Sequence, residues 1–80
     1  MMTNNNRANR TATLESFATG MRAASLVHDL AKEGIMADTF QAKWTNKRLP
    51  PPRIEVRIDP ADMEKAEGVL AFFKVAGTRL

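Results

Sequence analysis

The sequence predicts an α+β domain that is mostly helical, with three helices at about 13–33, 38–48 and 60–76 and one short strand at 53–58. Three observations lead there. Ile54, Val56 and Ile58 alternate with Glu55 and Arg57, the period-two pattern of a half-buried strand. Asp59 and Pro60 follow at once as N-cap and first helical residue, and Asp62 sits in the turn where the helix dipole favours an acid. Upstream, two segments repeat apolar residues at spacings of three and four, with glycine or proline behind each. No second strand pattern stands out, and a lone strand leaves its backbone donors and acceptors unpaired. The strand is therefore expected to pair with its own copy across a homodimer, or with a partner protein.

Residues 1–12 are polar and asparagine-rich, with Arg7 and Arg10 as the only charges. They hold too little apolar area to order themselves and read as a flexible arm, leaving 13–80 as a single small domain. Thr13 is the expected N-cap of the first helix. Its stripe is Leu14, Phe17, Met21, Ala24, His28 and Ala31, widened by Leu26, Val27 and Leu30. A helix apolar over so wide an arc is expected to pack on two sides, and Gly34 is placed to end it. Asp38 and Gln41 have the spacing of a capping box for the second helix, with Met36, Phe40 and Trp44 on one face. Leu49-Pro50-Pro51-Pro52 must stop that helix and stiffen the connection to the strand. In the last helix Met63, Ala66, Leu70 and Phe73 form the core stripe, flanked by Val69 and Phe72, and Gly77 closes it.

Catalysis needs a nucleophile or acid–base pair oriented by neighbours. The chain has no cysteine, no tyrosine and one histidine. His28 falls on the apolar stripe and reads as a buried, hydrogen-bonded side chain, not a base or metal ligand. The four glycines are isolated, so no phosphate-cradling loop is present. No catalytic residue, cofactor, metal or small-molecule substrate is expected. No membrane partner is expected either, because no apolar run approaches the length of a span. With no secretory hydrophobic region at MMTNNNRANRTAT, a cytoplasmic setting is the default expectation, and the lack of cysteine fits it.

The net charge is +3 with a pI near 9.8, and the positive excess gathers at Lys43, Lys47, Arg48 and Arg53. With Arg57 these are the candidate nucleic-acid- or partner-binding residues, since concentrated charge builds a local field that scattered charge does not.

Residues 53–77, and IEVRIDPADMEKAEGVL within them, resemble the strand–helix start of ribbon-helix-helix repressors, including those of antitoxins. The resemblance implies a strand paired antiparallel with its twin and entering the major groove. Arg53, Glu55 and Arg57 would then face the DNA, with Ile54, Val56 and Ile58 in the core. That family continues with a second helix, for which this chain offers only Thr78-Arg79-Leu80. A second fragment, LVHDLAKEGIMADTFQAKW, resembles a helix-turn-helix, with Thr39, Gln41, Lys43 and Asn46 as recognition-helix candidates. Its large apolar face reads better as a packed αα-hairpin.

The function expected is a small basic non-enzymatic binding module, a homodimeric DNA-binding regulator. The alternative is a phage- or plasmid-type small inhibitor or accessory protein that binds a host protein or nucleoprotein complex, an acidic surface met by Phe40, Trp44, Phe72 and Phe73 with a basic rim.

Overall fold

The computed structural model describes residues 11–78. Strand β1 (Ala12–Phe17) leads to helix α1 (Gly20–Lys32), then strands β2 (Ala37–Gln41) and β3 (Ile54–Ile58). A 3-10 turn (Pro60–Asp62) opens helix α2 (Met63–Thr78). The strands form one antiparallel sheet in the order β1-β3-β2. The last strand to be made thus slots between the first two, which run parallel to each other across it, a split βαβ arrangement.

Two of the three expected helices are therefore wrong in whole or part, and the expected single strand is one of three. The first expected helix, 13–33, is strand up to Phe17 and helix only from Gly20. The error has a physical source. The register of β1 against β3 slips between Thr13 and Glu15, a bulge that admits Leu14 as an extra residue. The bulge lets Leu14 and Phe17 both reach the core across an odd interval, which in sequence imitates a helical i, i+3 pair. The N-cap is Thr19, whose hydroxyl accepts from the Arg22 amide, and not Thr13. The second expected helix, 38–48, does not form at all. Asp38 and Gln41 lie in β2, and residues 42–53 are an irregular hairpin connection. Backbone demand from β3 overrides the capping-box spacing here.

Pairing of β3 with a twin is also overturned. Its residues pair with β1 through Ile58, Arg57, Val56, Glu55 and Ile54, and the same five residues pair with β2. Both ladders are filled from within the chain.

Both helices lie on the face presented by Phe17, Val56 and Ile58. Ala23, Leu26 and Leu30 of α1, Ile35, and Ala66 and Leu70 of α2 complete the buried core. Met63, Val69 and Phe73 pack against it, so the expected stripe of the last helix holds. Phe73 meets Phe17 edge-to-face at 5.9 Å. The core face of α1 is narrower than expected: Met21, Ala24, His28 and Ala31 are exposed. His28 is thus on the solvent side, not a buried histidine, and α1 is not packed on two sides within one chain.

Both helix signals next to turns survive. Gly34 takes φ +79° and follows the C-cap Glu33. Its amide donates to the Ala31 carbonyl at 3.0 Å while Ile35 donates to Leu30 at 2.9 Å, the paired bonds of a Schellman stop. Ile35 then turns into the core, 2% exposed. Asp59 accepts from the Ala61 amide at 2.9 Å with Pro60 behind it. Gly77, by contrast, lies inside α2, which runs to Thr78. The expected arm at 1–12 lies outside the described residues up to residue 10, and Ala12 already belongs to β1.

Leu26→Ala should destabilise the fold by about 2–5 kcal/mol in urea titration, because Leu26 is fully buried between helix and sheet. Gly34→Ala should cost about 1–2 kcal/mol despite open space around the site, because the positive φ alone opposes a Cβ.

Candidate nucleic-acid interface

The connection between β2 and β3, residues 42–53, carries Lys43, Lys47, Arg48 and Arg53 and no acid. The nine acids and nine bases of residues 11–78 balance, so this arm holds four uncompensated positive charges against an equal negative excess elsewhere. Among the described residues none of the four arm cations is ion-paired.

The arm is ordered by its own side chains. Trp44 donates from Nε1 to two carbonyls, Asn46 at 3.1 Å and Leu49 at 3.0 Å. The Leu49 amide returns to the Asn46 carbonyl at 3.1 Å, closing a turn over Asn46–Leu49. Asn46 Oδ1 accepts from the Arg48 amide at 3.1 Å, the local bond that makes asparagine a favoured first turn residue. Lys47 and Arg48 therefore occupy the two corner positions of the turn. Lys47 Nζ lies 4.1 Å from the centre of the Trp44 ring, which holds the ammonium without neutralising it. Pro50, Pro51 and Pro52 stiffen the return, and Gln41 Nε2 clamps the base by donating to the Pro52 carbonyl at 2.8 Å. Arg53 is tied to β1 by Nε to Ser16 Oγ at 3.0 Å and Nη2 to the Ser16 carbonyl at 2.9 Å. Both acceptors are neutral, so its charge remains.

Arg57 stands apart from this group. It lies on the sheet face away from the helices, where its guanidinium meets Glu55 Oε1 at 3.0 Å and covers the Phe40 ring at 4.1 Å. Thr13 Oγ1 donates to the same Glu55 oxygen at 2.9 Å. The Thr13 hydroxyl first, and Arg57 second, hold the Glu55 carboxyl below its ordinary pKa. The structure thus places Lys43, Lys47, Arg48 and Arg53 on one connection between β2 and β3, and sets Arg57 on β3 paired with Glu55. Of the recognition-helix candidates, Thr39 and Gln41 are in β2, while Lys43 and Asn46 are in the arm. Sequence reading missed the role of Trp44 and Asn46, although asparagine is a favoured turn residue because its side chain bonds the backbone two residues on.

No protein-family model, curated protein or solved structure matches the chain. No helix among the described residues is long and apolar enough to cross a membrane. Among those residues no group of three or more His, Asp or Glu side chains could hold a metal ion.

Trp44→Phe keeps the ring and removes the donor. Amide exchange at Lys47, Arg48 and Leu49 should quicken while the global melting temperature barely moves. Thr13→Ala should raise the Glu55 pKa toward the ordinary carboxylate value, read from the Glu55 side-chain carbon shifts. The sign follows from the lowered folded-state pKa: Glu55 adds stability above its unfolded pKa and loses it as pH falls through the folded one.

Proposed function

We propose that the protein is a non-enzymatic DNA-binding regulator that acts as a homodimer in the cytoplasm and grips duplex DNA with the 42–53 arm. One observation carries the reading. Four unpaired cations are presented on a pre-ordered hairpin connection, while the remainder of residues 11–78 is net negative. Within residues 11–78 the attraction to phosphate is therefore concentrated on this connection, and its field favours approach from that side. Lys47 and Arg48 at the turn corner supply the leading contacts. The short turn and stiff proline return reduce the ordering cost that a floppy basic loop would meet on binding. Phosphate contacts position such an arm without themselves reading sequence. Arg48, whose fork matches the guanine edge, is the candidate for direct readout.

The expectation that the β3 side chains themselves enter the major groove is not retained, because β3 is flanked by strands on both sides. A second reading, docking on a protein, draws on one remaining exposed aromatic. Phe72 is 76% exposed beside a groove between the helices, lined by Asp29, Glu33 and Lys65. The other aromatics named for that role are engaged: Phe73 on Phe17, Phe40 under Arg57, and Trp44 under Lys47.

Fluorescence anisotropy of labelled duplex DNA should show binding that weakens steeply with salt. Replacing Lys43, Lys47 and Arg48 by alanine should abolish it, and each single replacement should lower the salt slope by about 0.9 if that cation meets a phosphate. Binding that ignores salt, or survives the triple replacement, refutes the arm as the contact surface.

A further inference from the structure

The turn in the arm carries a side chain that phosphate contacts do not use. Leu49 is 58% exposed and stands outside the core and the residues packed against it. A lone exposed leucine is ordinary on a protein surface. This one is set apart by how firmly its backbone is held. Its amide donates to the Asn46 carbonyl at 3.1 Å, and its carbonyl accepts from Trp44 Nε1 at 3.0 Å. Pro50 follows, and the clash between a proline ring and the residue before it favours an extended Leu49. An apolar side chain is thus fixed in direction while it faces water.

Its neighbours matter as much. Lys47 and Arg48 directly precede it, and no acid occurs between Gln41 and Arg53. The arm's other large apolar group, the Trp44 ring, already lies under Lys47. Met21, Phe72 and Val75 are also exposed, but they belong to the helices and not to this cationic group. The hydrogen bonds that order residues 44–52 close within the arm or on Gln41 at its base. None of them turns the tip back onto the sheet.

We infer that Leu49 is a wedge that enters between two base pairs of duplex DNA and bends it. The inference rests on the DNA-binding reading above and names how that site engages its duplex. Proteins that bend DNA insert apolar side chains, leucine among them, into a base step, which unstacks it and kinks the duplex by roughly 20–90°. Unstacking is costly, and the arm offsets it in two ways. Lys47 and Arg48 bring cations to the phosphates flanking the entered step. The pinned backbone leaves Leu49 little freedom to lose on insertion. The leucine itself moves from water onto the apolar faces of the bases.

Energy transfer between dyes on the two ends of a short duplex reads the bend, and anisotropy of the same duplex reads occupancy. Wild-type protein should raise the transfer at saturation, and more for a duplex with central TA steps than for a stiff A-tract. Leu49→Ala should bind more weakly and lose most of that rise even on a saturated duplex, with the salt slope kept. Leu49→Met, apolar and of similar size, should keep the rise. Lys43→Ala should do the opposite of Leu49→Ala, lowering the slope by about 0.9 while the rise persists at saturation. The Trp44 indole N–H resonance should hold its position in all three variants, because it reports the bond to the Leu49 carbonyl and so an intact turn. A rise that survives Leu49→Ala, a rise lost in Leu49→Met, or wild-type binding with no rise overturns the wedge. Each of these leaves the cationic arm standing on its salt dependence. Absence of any salt-dependent binding removes the arm reading and the wedge together.

Discussion

Every other feature of this fold depends on the double pairing of β3. A strand buried on one face and hydrogen-bonded along both edges satisfies its backbone completely, and that satisfaction is what recruits two neighbours of weak strand character. β1 accepts a bulge to comply, and β2 forms from residues whose spacing suits a helix. The helices then have a single face to cover. Phe17, Val56 and Ile58 supply it from the sheet, and Leu26, Leu30, Ala66 and Leu70 close it from above. A core of this size leaves little reserve, so the Schellman stop at Gly34 and the Asp59 cap matter more than they would in a larger domain. Each fixes the angle at which a helix leaves or approaches the sheet.

The same topology creates the arm. Because β2 and β3 are sequential neighbours in the sheet, the chain between them must return on itself, and residues 42–53 are the return. A shorter connection would suffice to join adjacent strands. The order of this one comes from Trp44 and Asn46, which satisfy backbone groups that a solvated loop would leave to water. The indole is employed as a scaffold, with Lys47 on its face. In this protein the aromatic shapes the cationic surface and is not itself the obvious anchor. The polar sheet face behaves differently. There Arg57 and Glu55 form an ion pair that the Thr13 hydroxyl supports by donating to the same Glu55 oxygen.

Reading along the chain succeeds where the signal is local and fails where it is not. The segment from Ile54 through Leu70 is legible, because alternation, cap, proline and apolar stripe all agree. So are Gly34 and the concentration of charge at Lys43, Lys47, Arg48 and Arg53. The first strand is illegible because a one-residue bulge converts period two into a spacing of three. The second strand is illegible because Met36, Phe40 and Trp44 share a helical interval by coincidence, one of them in β2 and another in the arm. His28 misleads for a related reason. It sits on a periodic stripe, but burial is decided by where the sheet lies and not by the stripe alone.

The sequence by itself therefore determined the central strand, the final helix with its cap, the stop of the first helix and the identity of the cations. These depend on contacts between residues a few positions apart, whose energies are present in any context. The tertiary structure alone decided that β1 and β2 exist, that 42–53 is an arm and not a helix, and that Arg57 is withdrawn from the cationic group. Those outcomes follow from backbone hydrogen bonds between residues as distant as Ala12 and Ile58, and from the sharing of Glu55 between Thr13 and Arg57. Long-range pairing carries no signature in local periodicity, because its free energy is gained only once the strands have met.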